Sequence, residues 1–537
     1  MSILIFLIVS YILLSFSLSK LFPKAGVPSV KGWIPGVNFI EWAKIIGKSP
    51  KSVLWLLFPI VNIFVFCSMA IDLVQSFGKY KFQHSAAAVL YAPAIFYKIA
   101  VTLEDKYVGP AITRHREIQQ AIEEARKNND SYKLKQLEAQ NPFKRSTGRE
   151  WVESLVFAVF AAAFIRMFLI EAYMIPTPSM EGTLNVGDFL FVSKAHYGIR
   201  TPMTVILVPL LHNVIPIINK ESYLKKPSLP YYRFPALEKV EAGKPFVFNW
   251  PVGDSVYITS SRSYFLKQVE GIDVTQINDR ELASKIKNKD YVVRPVDKKD
   301  HYIKRCVASP GDSLKIIDAQ LYINGVPAKN PEHMQFKYQV TIPSGVTLNK
   351  KKLDDWGIDE GDVSYESSQM PAGMMMLFLD QSQVKKLLSI DPGIKVDRVP
   401  NFPSPSMMFP FDASINKDWT VDDYGPIWIP KQGVTIKLDK TSLPFYRRII
   451  NVYEGNNLEV KGDDIYINGE KSDSYTFKQD YFWAMGDNRH NSEDSRSWGY
   501  VPMDHIVGKP LFIFFSTKEG SIRKGINWDR IFTSANK

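Results

Sequence analysis

The candidate chemistry of this chain lies in three stretches that are far apart in sequence. The first is Tyr173-Met174-Ile175-Pro176-Thr177-Pro178-Ser179-Met180-Glu181-Gly182-Thr183-Leu184. Its two prolines fix φ and bias Ile175 and Thr177 toward extended geometry, so Ser179 is expected in an extended or turned segment. A serine there is a potential nucleophile, although alone it reads more simply as a capping or linker residue. The second stretch is His301-Tyr302-Ile303-Lys304-Arg305-Cys306-Val307. Strand alternation places Tyr302 and Lys304 on one face, with Ile303 and Arg305 on the other. A lysine turned inward beside an aromatic loses proton affinity and can act as a base near neutral pH. A solvent-facing strand lysine is the ordinary alternative. The third stretch, from Gly486-Asp487-Asn488 through Ser492-Glu493-Asp494-Ser495-Arg496 to Trp498-Gly499, is dense in turn formers and paired charges and suits a rigid loop. Calcium-loop spacing fails there.

Taken together, the order and residue types of the three stretches resemble the type I signal peptidases, Ser-Lys dyad serine proteases of bacterial leader peptidase type. Arg166-x-Phe168-x-x-Glu171-x-Tyr173 resembles the family's approach to its nucleophile, and Gly187-Asp188-Phe189-Leu190-Phe191-Val192 the strand that follows. Trp498-Gly499-Tyr500-Val501-Pro502 with Ile506-Val507-Gly508 resembles its closing strand. The resemblance runs in outline over residues ~150–520. It implies that Ser179 attacks the scissile carbonyl and that neutral Lys304 takes its proton. It also implies that Thr177 and the Ser179 N–H form the oxyanion hole and that Ser492 orients the lysine. Asp494 and Arg496 form a supporting ion pair behind it, and Met180 and Tyr302 contact substrate. No metal, cofactor or catalytic histidine is implied, and His301 and His490 look incidental. Cys67 and Cys306 lack metal-ligand spacing.

These residues need elements to hold them, and the apolar pattern supplies membrane helices first. Ile3–Leu18, Val53–Ile71, His84–Leu103 and Trp151–Ile170 are apolar enough to span, with Val53–Ile71 the clearest. Trp33-Ile34-Pro35-Gly36-Val37-Asn38 is echoed twenty-four residues on by Leu57-Phe58-Pro59-Ile60-Val61-Asn62, and Val37–Gly47 suits an interfacial or re-entrant helix. The net charge of +11 is concentrated beside the spans: residues 19–52 hold six Lys against one Glu, and residues 106–149 hold ten Lys or Arg. That is the positive-inside pattern rather than a nucleic-acid surface. It predicts a multi-pass protein of the cell inner (plasma) membrane, its catalytic domain on the extracytoplasmic (periplasmic) side. The expected partners are the lipid bilayer and the signal peptides of exported preproteins, with no nucleic acid.

After Arg200, short apolar strands alternate with Pro/Gly/Asp turns. The expected fold is therefore N-terminal α-helical membrane spans followed by a mostly antiparallel β catalytic domain of signal peptidase type with a large β-rich insertion. The divisions are 1–104, a multi-span region; 105–150, a basic cytoplasmic segment; 151–175, an anchor helix; and 176–326, the β core with nucleophile and base. An inserted region follows at 327–428, a second β unit with the closing part of the core at 429–520, and a tail at 521–537. The second unit is expected from a repeat. Tyr302, Lys304, Gly311, Leu314, Tyr322, Ile323, Asn324 and Gly325 recur 144 residues later as Tyr446, Arg448, Gly455, Leu458, Tyr466, Ile467, Asn468 and Gly469. Arg448 stands at the base position but stays protonated at any working pH. The function expected is removal of signal peptides. Alternatives are a Ser-Lys maturation peptidase of one secretion system and an inactive membrane adaptor of the same fold.

Overall fold

The computed structural model describes residues 2–57, 61–215, 218, 220–259, 263–265, 277, 279–358 and 362–536. The chain divides into two compact units, Met1–Phe157 and Ala158–Lys537.

The first unit is helical. Helices α1 (Ser2–Leu21), α2 (Val37–Ile46), α3 (Val61–Ser76) and α4 (Phe82–Val101) surround a core of Leu18, Phe22, Trp42, Ile46, Leu73 and Phe96. Three apolar stretches among the described residues are long enough to cross a membrane: Ile8–Ala25, Phe82–Val101 and α7 (Thr147–Phe168). The stretch expected to be the clearest span, Val53–Ile71, is not one of them. Its described residues belong to a 3-10 helix, Pro50–Leu57, and to α3, described over the sixteen residues Val61–Ser76. Residues 58–60, with the Pro59 of the sequence echo, lie outside the described residues. Sixteen residues extend about 24 Å, short of the ~30 Å hydrocarbon core. Nor does α2 present a lipid-facing stripe: Asn38, Trp42, Ile45 and Ile46 are buried, and the Trp42 indole donates to the Met69 carbonyl at 3.1 Å. The basic segment forms two amphipathic helices, α5 (Ala111–Lys127) and α6 (Ser131–Gln140).

The second unit is built on a seven-stranded antiparallel sheet. Its strands are β1 (Ile170–Met174), β2 (Asp188–Ser193), β3 (Pro245–Asn249), β4 (His301–Ala308), β5 (Tyr481–Met485), β6 (Val501–Pro502) and β7 (Ile506–Ser516), in spatial order β1-β2-β7-β3-β4-β5-β6. β4, which carries Lys304, lies inside the sheet between β3 and β5, with Lys304 opposite Phe246 and Arg305 opposite Met485. Both faces of β4 are covered, by Phe246, Phe248, Trp250 and Trp498 on one side and Met180, Val192 and Val247 on the other.

The insertion has its own core. Strands Phe336–Thr341, Met374–Leu379 and Lys395–Arg398 form a sheet packed on the helix Gln381–Leu388, which starts with an Asp380–Gln383 capping box. The segment read as a tail folds back onto the sheet. Arg530 pairs with buried Asp188 at 2.6 Å, and Ala535 is buried in the cluster that contains Met180.

The repeat divides at its midpoint. Hairpins Ser313–Ile317/Gln320–Ile323 and Leu458–Lys461/Asp464–Ile467 share one register: Leu314 faces Ile323 as Leu458 faces Ile467. Each second strand then leads into a further short hairpin on a left-handed Asn-Gly pair, with φ of 53° and 80° at Asn324-Gly325 and 54° and 89° at Asn468-Gly469. Upstream the likeness ends. Lys304 sits in a strand, whereas Arg448 closes the helix Leu443–Arg448, which runs into a π turn at Ile449–Tyr453. The expected second β unit is thus a repeated hairpin preceded by helix, because the Leu-Pro start favours a first helical turn where β4 has β-branched and aromatic residues.

Candidate active site

Ser179 occupies a single 3-10 turn, Pro178–Met180, which Pro178 pre-forms with its fixed φ. Thr177 before it is extended at φ −134° and ψ 150°, as a residue preceding proline must be. The segment is tied to the sheet at both ends. Ile175 N–H donates to the Asp188 carbonyl at 2.8 Å, and Asn488 N–H donates to the Ser179 carbonyl at 3.2 Å. Gly486 lies directly behind: a Cβ there would stand 2.4 Å from the Ser179 carbonyl oxygen and 2.2 Å from Ser492 Oγ, so no side chain fits.

Lys304 projects from β4 to this serine, with Nζ and Oγ hydrogen-bonded at 2.6 Å. The lysine is only 4% exposed and the serine 8%. Burial lowers the Lys304 pKa to about 8, against a weaker opposing pull from Asp494, Glu493 and Asp487. Its ammonium has no ion-pair partner among the described residues; its other contacts are the Ile303 carbonyl and the Tyr302 ring, 5.5 Å from Nζ. Tyr302 is itself stacked on Trp498 at 5.6 Å and edge-on to Trp250. These aromatics keep water and countercharge away from the amine.

Five of the expected site residues, Thr177, Ser179, Met180, Tyr302 and Lys304, line one small cleft of about 90 Å³ with Ile175, Leu190 and Val247. Thr177 is exposed at its mouth and Met180 is fully buried. Asp494 and Arg496 form a buried bidentate pair at 2.9 and 2.8 Å, and Asp494 also accepts Gly486 N–H at 3.0 Å. That pair fixes the loop behind the serine. Ser492 abuts Gly486 behind Ser179, and no hydrogen bond joins its hydroxyl to Lys304. Neither His301, packed on Tyr173, nor His490, paired with Asp422, is hydrogen-bonded to Ser179.

One part of the site escaped the sequence reading. Arg305 is as buried as Lys304 and grips Asp487 with two hydrogen bonds of 2.8 and 2.6 Å. Thr183 Oγ1 donates to the same carboxylate at 2.6 Å. The serine segment, the lysine strand and the 486–496 loop therefore meet at Asp487. Alternation alone had set Arg305 on the face away from Lys304, where a solvent-exposed cation is normal; an interior strand has no solvent face. The available signal was the pairing of an adjacent Lys-Arg with a loop richer in acids than its surroundings.

A buried serine hydroxyl bonded to a buried, partly neutral amine on an antiparallel sheet is the equipment of a serine hydrolase that works without histidine. The profile of the family described as signal peptidase, peptidase S26 matches residues 148–383 and 472–515, just over half of the chain. The chain belongs to that family, and it is accordingly a serine endopeptidase that removes signal peptides. It is similar to signal peptidase I of Buchnera aphidicola subsp. Baizongia pistaciae, at 22% identity over 412 residues, 74% of this chain and 89% of that protein. Signal peptidase I of Helicobacter pylori J99 is 21% identical over 72% of this chain and 90% of its own length. The Haemophilus influenzae protein of that name is 24% identical over 78% and 84%. A second profile, a family of unknown function (DUF5684), matches residues 30–110.

Proposed function

We propose that Ser179 is the nucleophile and Lys304 the general base of this peptidase. The observation that carries the proposal is the 2.6 Å contact between Lys304 Nζ and Ser179 Oγ inside a buried cleft. With its pKa at about 8, roughly a tenth of Lys304 is neutral at pH 7, against about one in three thousand for an unshifted lysine. In the neutral state the Ser179 hydroxyl donates to the amine. As Oγ bonds to the scissile carbonyl carbon, the proton passes to Nζ and the carbonyl oxygen becomes an oxyanion. In this reading the Ser179 N–H and the Thr177 hydroxyl donate to that oxygen. The ammonium then protonates the departing amine. A water, deprotonated by the regenerated amine, releases the acyl group from Ser179. Asp487 and Asp494, held by Arg305 and Arg496, act by fixing the loop behind the serine. Ser492 supports the lysine only through that loop.

The substrate is a signal peptide lying extended along the cleft, with its scissile bond at Ser179 and shallow pockets that admit only small residues. The cleft is small, about 90 Å³, and its walls include the apolar side chains of Ile175, Leu190 and Val247. Replacing the −1 Ala of a processed precursor with Phe is expected to stop cleavage, measured as accumulation of uncut precursor; unchanged processing would refute this reading. The proposal also places residues 176–537 outside the cytoplasm and 104–150 inside. Impermeant thiol labelling of engineered cysteines at Lys133 and Lys461 is expected from opposite sides of the membrane, and labelling of both from one side would refute the topology.

A further inference from the structure

A second cavity in the catalytic unit is not used by the proposed chemistry. It has a volume of about 90 Å³ and is bordered by Ala163, Arg166 and Met167 at the C-terminal end of α7, room for several waters or one phosphate group. Four cations and two carboxylates line it: Arg166, Lys194, Arg200 and Lys298 against Glu171 and Asp297. Glu171 is already saturated, by Arg166 at 2.8 Å, Lys194 at 2.8 Å and the Tyr173 hydroxyl at 2.7 Å. One oxygen of Asp297 is held by the Thr204 N–H and hydroxyl, at 3.0 and 2.8 Å.

The two remaining cations make no close ion pair among the described residues; Asp297 is the nearby carboxylate that acts on both, and its second oxygen is buried without a hydrogen bond. Lys298 is 6% exposed, and its ammonium, 5.3 Å from the Tyr223 ring centroid, has no hydrogen bond or ion pair among the described residues. Arg200 bonds only neutral oxygens, the Asp504 carbonyl at 3.0 Å and Asn249 Oδ1 at 2.6 Å. A buried ammonium with no partner is expensive unless an anion comes to it. The rim is of the opposite character. Val205, Ile206, Val208 and Leu210 are all exposed, and Arg166 is tied to the Leu210 carbonyl, so cavity and apolar rim are joined.

Cations in a recess, an apolar fringe beside it, and a location at the end of an apolar helix together match a lipid headgroup at a bilayer surface. We propose that this cavity binds the phosphate of an anionic phospholipid, with Lys298 and Arg200 as its cationic partners and the 205–210 loop against the acyl chains. The inference rests on the reading of α7 as a membrane anchor.

The test is native mass spectrometry of the full chain in neutral detergent, titrated with phosphatidylglycerol, phosphatidylcholine or inorganic phosphate. Phosphatidylglycerol is expected to bind more tightly than phosphatidylcholine and to be displaced by inorganic phosphate. Lys298→Gln is expected to weaken it about tenfold, the loss of one charge-assisted bond, and Lys298→Arg to restore it. Equal binding of the two lipids, no competition by phosphate, or undiminished binding by folded Lys298→Gln would overturn the proposal. So would tighter binding of inorganic phosphate than of phosphatidylglycerol, which would assign the cavity to a soluble ligand. The phosphate competition uses the unmodified protein and stands whether or not a variant folds. Flotation with phosphatidylcholine vesicles separates the two readings: a chain that floats yet shows no lipid preference keeps its anchor and loses this site, whereas one that does not float loses both.

Discussion

Two regions of the catalytic unit, residues 301–325 and 446–469, start from similar sequences and end in different jobs. Their hairpins are matched down to the side chain. Asn324 Oδ1 accepts from Ser313 N–H, and Asn468 Oδ1 from Asn457 N–H, each at 2.8 Å. The residues just before the hairpins diverge. Lys304 sits in an interior strand, desolvated and pointed at Ser179, whereas Arg448 ends a helix with its guanidinium on the Tyr453 hydroxyl, the Pro251 carbonyl and Asp254. A repeat in sequence thus transmits a turn faithfully and a base position not at all. The turn is set by two residues that accept left-handed φ, while a working base needs a whole covered sheet around it.

The comparison is sharpened most by replacing each cation with methionine. Lys304→Met is expected to lose about a thousandfold or more in turnover while gaining stability. Burial holds the Lys304 pKa at about 8 instead of 10.5, so below pH 8 the unfolded chain binds the proton more tightly. The penalty on folding is about 3 kcal/mol there and fades as pH rises from about 8 toward 10.5. Arg448→Met is expected to do the reverse, keeping turnover and losing about 1–3 kcal/mol with its polar contacts. Thermal unfolding of both variants at pH 7 and pH 10, beside their cleavage rates, checks the signs. Equal loss of turnover in the two folded variants would break the distinction.

The smallest effect tests the part the regions share. Asn324→Ala and Asn468→Ala each remove two side-chain hydrogen bonds and leave at positive φ a residue with no compensating contact. Each is expected to cost about 1 kcal/mol, by similar amounts, with activity intact. Denaturant titration reads the difference; costs that differ severalfold would show that the two hairpins are not equivalent.

Much of the site was legible because its chemistry lies in short motifs. Ser179 after Pro176 and Pro178, Lys304 beside Tyr302, and the Asp494–Arg496 pair could be named from local sequence and their order. What could not be read required knowing which strands are interior. Alternation placed Arg305 opposite Lys304 without giving it a role, because it cannot show that both faces of β4 are covered. Val53–Ile71 looked like the best span because apolar content does not separate the 3-10 helix Pro50–Leu57 from the α-helix Val61–Ser76. Arg448 looked like a strand residue because its hairpin is so well matched, although Leu443-Pro444 before it starts a helix. The role expected for Ser492 came from resemblance, and its contact with Gly486 rather than Lys304 depends on a loop path fixed by Asp487 and Asp494 at a distance.

The central claim is that buried Lys304, losing its proton near pH 8, activates Ser179. It is tested most directly by single-turnover cleavage of a signal peptide substrate across pH, with the wild-type chain and folded Lys304→Ala side by side. The wild-type rate is expected to rise about tenfold per pH unit below about pH 8 and to level above it, as the neutral amine becomes the dominant form. Lys304→Ala is expected to show no measurable cleavage at any pH in that range. A wild-type profile flat through pH 8, or substantial cleavage by folded Lys304→Ala, would contradict the account.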